Sequence, residues 1–92
     1  MALLTEKQIA GELKSTKGWK RRGDEIHKLF VHKDFARAMG FVQSVALLAE
    51  KMNHHPDIDI RWNKVSLSLS THSEGGLTAK DFALAQQINS LA

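Results

Sequence analysis

His54 and His55, followed by Pro56, and His72 further along are the side chains best suited to moving protons. Imidazole titrates near pH 6.5, and a well-placed acid or base contributes about 10²- to 10⁴-fold to a rate. Two carboxylates accompany them: Glu50, one helical turn before His54, and Asp81 beyond His72. Several imidazoles around one pocket suit an elimination, in which one group protonates a departing hydroxyl while another removes a proton. The chain has no cysteine, which excludes a thiolate zinc site, a Cys nucleophile and a disulfide scaffold. Adjacent histidines on a regular backbone point apart, and no His-x₃-His spacing occurs, so no metal centre is expected. No nucleophile with its base, glycine-rich phosphate loop or oxidation-reduction cofactor site is evident.

The elements that must position these groups are legible from periodicity and caps. Thr5 with Gln8 forms a capping box, Leu4 with Ile9 a hydrophobic staple, and Ile9 with Leu13 the stripe of a first helix, with Gly18 as a stop signal. Trp19 to Arg22 and Glu25 to His32 read as two strands around a Gly23-Asp24 turn of type II′. Asp34 opens a long helix reaching about Asn53. Its apolar residues, from Phe35 and Met39 to Ala49 and Met52, cover about half the circumference, against the roughly 100° stripe of a helix packed on one side. Such a helix is expected to pack on a sheet and also on another helix or subunit.

After Pro56 the period changes to two. Ile58, Ile60 and Trp62 alternate with polar residues, as do Val65, Leu67 and Leu69. A turn at Asn63-Lys64 would pair Trp62 with Val65, Ile60 with Leu67 and Ile58 with Leu69, all on one face. Extending that ladder past Pro56 sets His55 opposite His72, although proline cannot donate a ladder hydrogen bond. Thr78 with Asp81 makes a second capping box, with Leu77 and Phe82 as its staple, and Phe82, Ala85 and Ile88 form the inner stripe of a last helix. The expected fold is α+β in the order α-β-β-α-β-β-α. It is a two-layer sandwich of a four-stranded antiparallel sheet with three helices on one face.

Ninety-two residues fit a single domain over 1–92 with one thin core, which a buried subunit interface would support. Hydrophobic residues at 42% and charged residues at 25% are ordinary for a globular chain, so disorder is not expected. No apolar run approaches a membrane span, and the start lacks a secretion signal, so a cytoplasmic protein without membrane association is expected. The net charge of +3 is too mild to argue for nucleic acid.

Taken together, Glu50, His54-His55-Pro56, Trp62, Thr71-His72, Gly76-Leu77-Thr78 and Asp81 resemble the signature of the pterin-4a-carbinolamine dehydratases. The similarity runs from Leu4-Thr5-Glu6 through Gly18-Trp19 and Lys33-Asp34-Phe35 to Leu84-Ala85. It departs at Asn53, where some members carry an acid, and at His32, where a second aromatic is frequent. The resemblance implies dehydration of 4a-hydroxytetrahydrobiopterin, left by aromatic amino acid hydroxylases, to quinonoid dihydropterin and water, without metal or organic cofactor. By the same resemblance His54, His55 and His72 share the acid-base work. Glu50 orients a histidine or the pterin ring, Asp81 supports the site from the last helix, and Pro56 and Thr71 join them in binding substrate. The family assembles as dimers or tetramers, so a homodimer or homotetramer functionally coupled to a hydroxylase is expected.

Without that full pattern, His54-His55-Pro56 would read as a polar helix exit, Asp81 as a cap, Glu50 as a solvated helix residue and Trp62 as hairpin core. His27 and His32 read as solvated strand residues. Some relatives also act as dimerisation cofactors of a transcription factor, so a non-catalytic binding module is the alternative. The intact histidine set favours the enzyme.

Overall fold

Helix caps and alternating strands set the boundaries of every element in the computed structural model, which describes residues 2–92. The first position of the expected domain, Met1, lies outside the described residues. Helix α1 spans Glu6–Ser15, strands β1 Lys20–Arg22 and β2 Glu25–Val31, helix α2 Phe35–Met52, strands β3 Asp57–Arg61 and β4 Lys64–Leu69, and helix α3 Ala79–Asn89. A 3₁₀ turn, His72–Glu74, precedes α3. The Thr5 hydroxyl accepts from the Gln8 amide at 3.1 Å while Gln8 Oε1 accepts from the Thr5 amide at 2.8 Å, the expected capping box. Asp34 caps α2, its carboxylate accepting from the Arg37 amide at 2.8 Å. Helix α1 ends before Gly18, at Ser15.

The four strands form an antiparallel sheet in the order β1-β2-β4-β3. This is the α+β architecture expected from the pattern. The face carrying Ile26, Phe30, Val65, Leu67 and Leu69 packs against Ile9 of α1, Ala38, Phe41 and Val45 of α2, and Leu84, Ala85 and Ile88 of α3. Leu67 is fully buried in this layer, so Leu67→Ala would cost about 2–5 kcal/mol in lost burial and cavity formation. Lys28 interrupts the apolar face of β2. Its amine folds outward to the Lys17 carbonyl at 3.1 Å and Asn89 Oδ1 at 2.9 Å, and burial, reinforced by Lys17, holds its pKa below the ordinary lysine value.

The β3–β4 register differs from the expected one by two residues. Ile60 faces Val65 and Ile58 faces Leu67, and the turn lies at Trp62-Asn63. A slip of two leaves every side chain on its original face, so alternation cannot exclude it. Trp62 therefore sits on the turn with φ +55° and is 66% exposed rather than in the hairpin core. The regular ladder stops at Asp57 with Ser68, and His55 does not oppose His72 within it. His32 is also not a freely solvated strand residue: it is half-buried, with its ring 4.7 Å from that of Phe41.

Candidate active site

The exit of α2 places two of the three histidines. Asn53 adopts the left-handed conformation (φ 50°, ψ 45°), a state asparagine enters at less cost than most residues. The Asn53 amide then donates to the Glu50 carbonyl at 3.2 Å and the His54 amide to the Ala49 carbonyl at 3.0 Å, satisfying carbonyls that the helix end would otherwise orphan. Pro56 follows and prevents the helix from resuming. The reversal at Asn53 turns the His54 side chain inward, where it is buried, and leaves His55 exposed.

Asp81 meets His54 from the first turn of α3. The two side chains stand 2.5 Å apart, Nε2 to Oδ1, and Asp81 is completely buried. Its other oxygen accepts from the Thr71 hydroxyl at 2.8 Å and from the Thr78 amide at 2.9 Å, so cap and histidine partner are one carboxylate. The Thr71 hydrogen is committed to Asp81; the Thr78 hydroxyl, 2.8 Å away, therefore donates to Thr71. An ionised carboxylate only accepts, so Nε2 of His54 carries the hydrogen, and Nδ1 is the acceptor in the neutral ring. His55 makes the parallel pairing at the surface, its Nε2 bonded to a Glu50 carboxylate oxygen. Coulomb energy in such an exposed pair is largely offset by solvation, so the bond orients the ring more than it stabilises the fold.

His72 arrives by a different route. The backbone leaves β4, bridges Thr71 to Gly76, and between them winds through the 3₁₀ turn, ending at Gly75 with φ +76°. That compact loop holds His72 at the rim of a cleft of about 410 Å³ whose walls include His54, His55, Thr71 and Lys80. The volume lies in the range of small-molecule sites. The structure thus brings His54, His55, His72 and Thr71 around one space. Glu50 and Asp81 stand behind His55 and His54 respectively, and Pro56 shapes the chain but does not line the cleft. Among the described residues no group of three His, Asp or Glu side chains is arranged to hold a metal ion.

The sequence singled out Asn53 only as a helix end and a departure from the family pattern, and Lys80 not at all, yet both line the cleft; the Lys80 amine reaches the Asn53 carbonyl at 3.5 Å. Lys80 did leave a signal. A cation in the first turn of a helix opposes the helix dipole, an unfavourable placement that invites another explanation.

The profile of the family described as "Pterin 4 alpha carbinolamine dehydratase" matches residues 2–91. A protein of Roseiflexus castenholzii, named provisionally as a pterin-4-alpha-carbinolamine dehydratase, is 56% identical over 90 residues, covering 98% of this chain and 97% of its own. A crystal structure described as a transcriptional coactivator/pterin dehydratase from Brucella melitensis superposes with a TM-score of 0.94 at 38% identity, covering 98% of both chains. A pterin dehydratase-like protein described as a RuBisCO assembly factor of the alpha-carboxysome shares the fold, with a TM-score of 0.68 at 23% identity over 80% of this chain and 86% of that one. No helix among the described residues is long and apolar enough to cross a membrane. The chain belongs to the pterin 4 alpha carbinolamine dehydratase family.

Proposed function

We propose that residues 1–92 act as one domain that dehydrates 4a-hydroxytetrahydrobiopterin to quinonoid dihydropterin and water, as a step in cytoplasmic recycling of the pterin after an aromatic amino acid hydroxylase. The observation that carries this reading is the arrangement of His54 and His55, each tied through Nε2 to a carboxylate, on the cleft that His72 also lines. The reaction breaks the C4a–O and N5–H bonds and forms C4a=N5. It therefore needs one group to give a proton to the departing hydroxyl and one to take the proton from N5. His54 is the fitting base: Asp81 fixes its tautomer with Nδ1 as acceptor and compensates the imidazolium that forms. His55 and His72 are exposed at the rim and fit the acid role, because a solvent-facing imidazole can recover its proton between turnovers. Thr71 acts through Asp81, Glu50 through His55, and Pro56 by ending α2. The chemistry requires no metal or organic cofactor.

A second copy of the chain fits the apolar side of α2 that the sheet leaves uncovered, where Phe35 and Met39 are 52% and 41% exposed. A homodimer or homotetramer would bury this surface and support the thin core.

The binding-module reading has one observation in its favour: the structure similar at 38% identity is described as a transcriptional coactivator as well as a dehydratase. One experiment decides between the two. The 4a-carbinolamine is generated in situ by a phenylalanine hydroxylase, and its ultraviolet decay is followed with wild-type protein and with His72→Ala. Decay accelerated by wild type and slowed by the variant supports the dehydratase. A spontaneous rate unchanged by folded wild-type protein overturns it.

A further inference from the structure

Apart from the histidines, every side chain expected to hold substrate is engaged elsewhere. Glu50 bonds His55, Asp81 bonds His54, the Thr71 hydroxyl donates to Asp81, and Pro56 does not line the cleft. Two charged side chains on the cleft wall remain. One is Lys80, whose amine has the long contact to the Asn53 carbonyl, and the other is Glu74. Among the described residues neither belongs to an ion pair. Local backbone fixes where each starts. Glu74 sits on the 3₁₀ turn that also carries His72, its amide donating to the Thr71 carbonyl at 3.0 Å. Lys80 is the second residue of α3, next to the Asp81 that holds His54.

We propose that Glu74 and Lys80 hold the pyrimidine half of the substrate, with Glu74 the residue that determines which pteridine is accepted. The inference rests on the dehydratase reading above. The proton transfers there occupy only C4a and N5 of the bicycle. Its opposite edge presents O4 as an acceptor, then N3–H and the 2-amino group as donors, and polar groups left without partners on binding cost affinity. An ionised carboxylate has an oxygen for each of two parallel N–H donors, which makes Glu74 the complement of N3–H and the 2-amino group. An ammonium only donates, so Lys80 fits O4. The carbonyl it serves also gives a reason for a cation in the first turn of α3, where the helix dipole disfavours one. The histidines are thereby left free for the acid-base steps.

The test is calorimetric titration with two stable 7,8-dihydro compounds that share one 6-substituent: a 2-amino pterin and its 2-oxo counterpart, a lumazine. Wild type should bind the pterin about tenfold more tightly, the value of one modest charge-assisted hydrogen bond, because O2 of the lumazine opposes a carboxylate oxygen. Glu74→Gln offers its oxygen to N3–H and its amide nitrogen to O2. It should bind the lumazine more tightly than wild type does and reverse the preference, a gain that damage to the fold would not produce. Lys80→Met should weaken both compounds about equally, because both carry O4. Equal affinities in wild type, or an unchanged preference for the pterin in Glu74→Gln, overturns the role of Glu74. Unchanged affinities in Lys80→Met overturn that of Lys80. If neither compound binds, the whole proposal fails. The carbinolamine decay assay then reports separately on the dehydratase reading, which survives if decay is still accelerated.

Discussion

Asp81 Oδ1 stands 2.5 Å from His54 Nε2, joining the exit of α2 to the first turn of α3. The same carboxylate caps α3 through the Thr78 amide and receives the Thr71 hydroxyl. A residue that closes a helix start and orients a histidine couples the placement of the cleft to the packing of α2 on α3.

Asp81→Asn separates these duties. Its amide oxygen can still accept from the Thr78 amide, so the expected loss of stability is about 1 kcal/mol in thermal unfolding. That same oxygen serves the Thr71 hydroxyl, so the amide nitrogen must face His54, and a donor there forces the hydrogen from Nε2 to Nδ1, where a base needs a lone pair. The carbinolamine decay rate should fall about 10²-fold through kcat, with KM little changed. A variant that loses stability but keeps kcat would reduce Asp81 to a cap.

The exposed Glu50–His55 pair gives the opposite balance. Both side chains are largely in water, so Glu50→Gln should shift the unfolding free energy by less than about 0.5 kcal/mol. Any larger effect on turnover then reports chemistry. A fall of about tenfold in kcat, with assembly and melting temperature unchanged, is the expected result. Full activity in the variant would show that His55 needs no orienting partner.

Trp62 is the first central residue of a two-residue turn and carries φ +55°, a conformation that favours glycine and costs a bulky residue about 1–2 kcal/mol. Its contact with the Lys64 amine, 5.8 Å from the ring centre, is solvent-exposed and worth about 0.5–1 kcal/mol. The first figure exceeds the second, so Trp62→Gly should raise the melting temperature. A lowered one would show that the ring is held by contacts outweighing its strain.

That turn also explains what the sequence conceals. Caps at Thr5, Asp34 and Thr78 were legible because each acts within four residues, and the core faces were legible because alternation reports them directly. The β3–β4 register was not, because polar Asn63-Lys64 looks like a turn and tryptophan does not look like a residue for a left-handed position. His55 and His72 do share a cleft, but not by opposing each other in the β3–β4 ladder. The meeting depends on the Asn53 reversal and the Thr71–Gly76 loop, two irregular features flanking that hairpin at its open end. Likewise the Thr78–Asp81 cap is readable from spacing, whereas the His54 contact spans the fold and leaves no local trace.

A pH prediction follows from the tie between α1 and β1. Arg21 grips Glu6 with two bonds, 2.6 and 2.9 Å, and holds the Glu6 carboxyl below the usual range, first by hydrogen bonding and then by charge. A carboxyl depressed in the folded state binds fewer protons there than in the unfolded chain, so stability rises with pH across that interval. The contribution is complete above about pH 4.3, the ordinary glutamate value, and disappears as pH falls through the depressed one. Wild type should therefore melt above Glu6→Gln at neutral pH, with the gap closing as the pH falls through the depressed value. The pair is on the surface, so salt at 1 M should shrink the gap at neutral pH as well, the Debye length there being only about 3 Å. A gap that persists in acid would place the effect of the substitution in helix propensity or packing rather than in the ion pair.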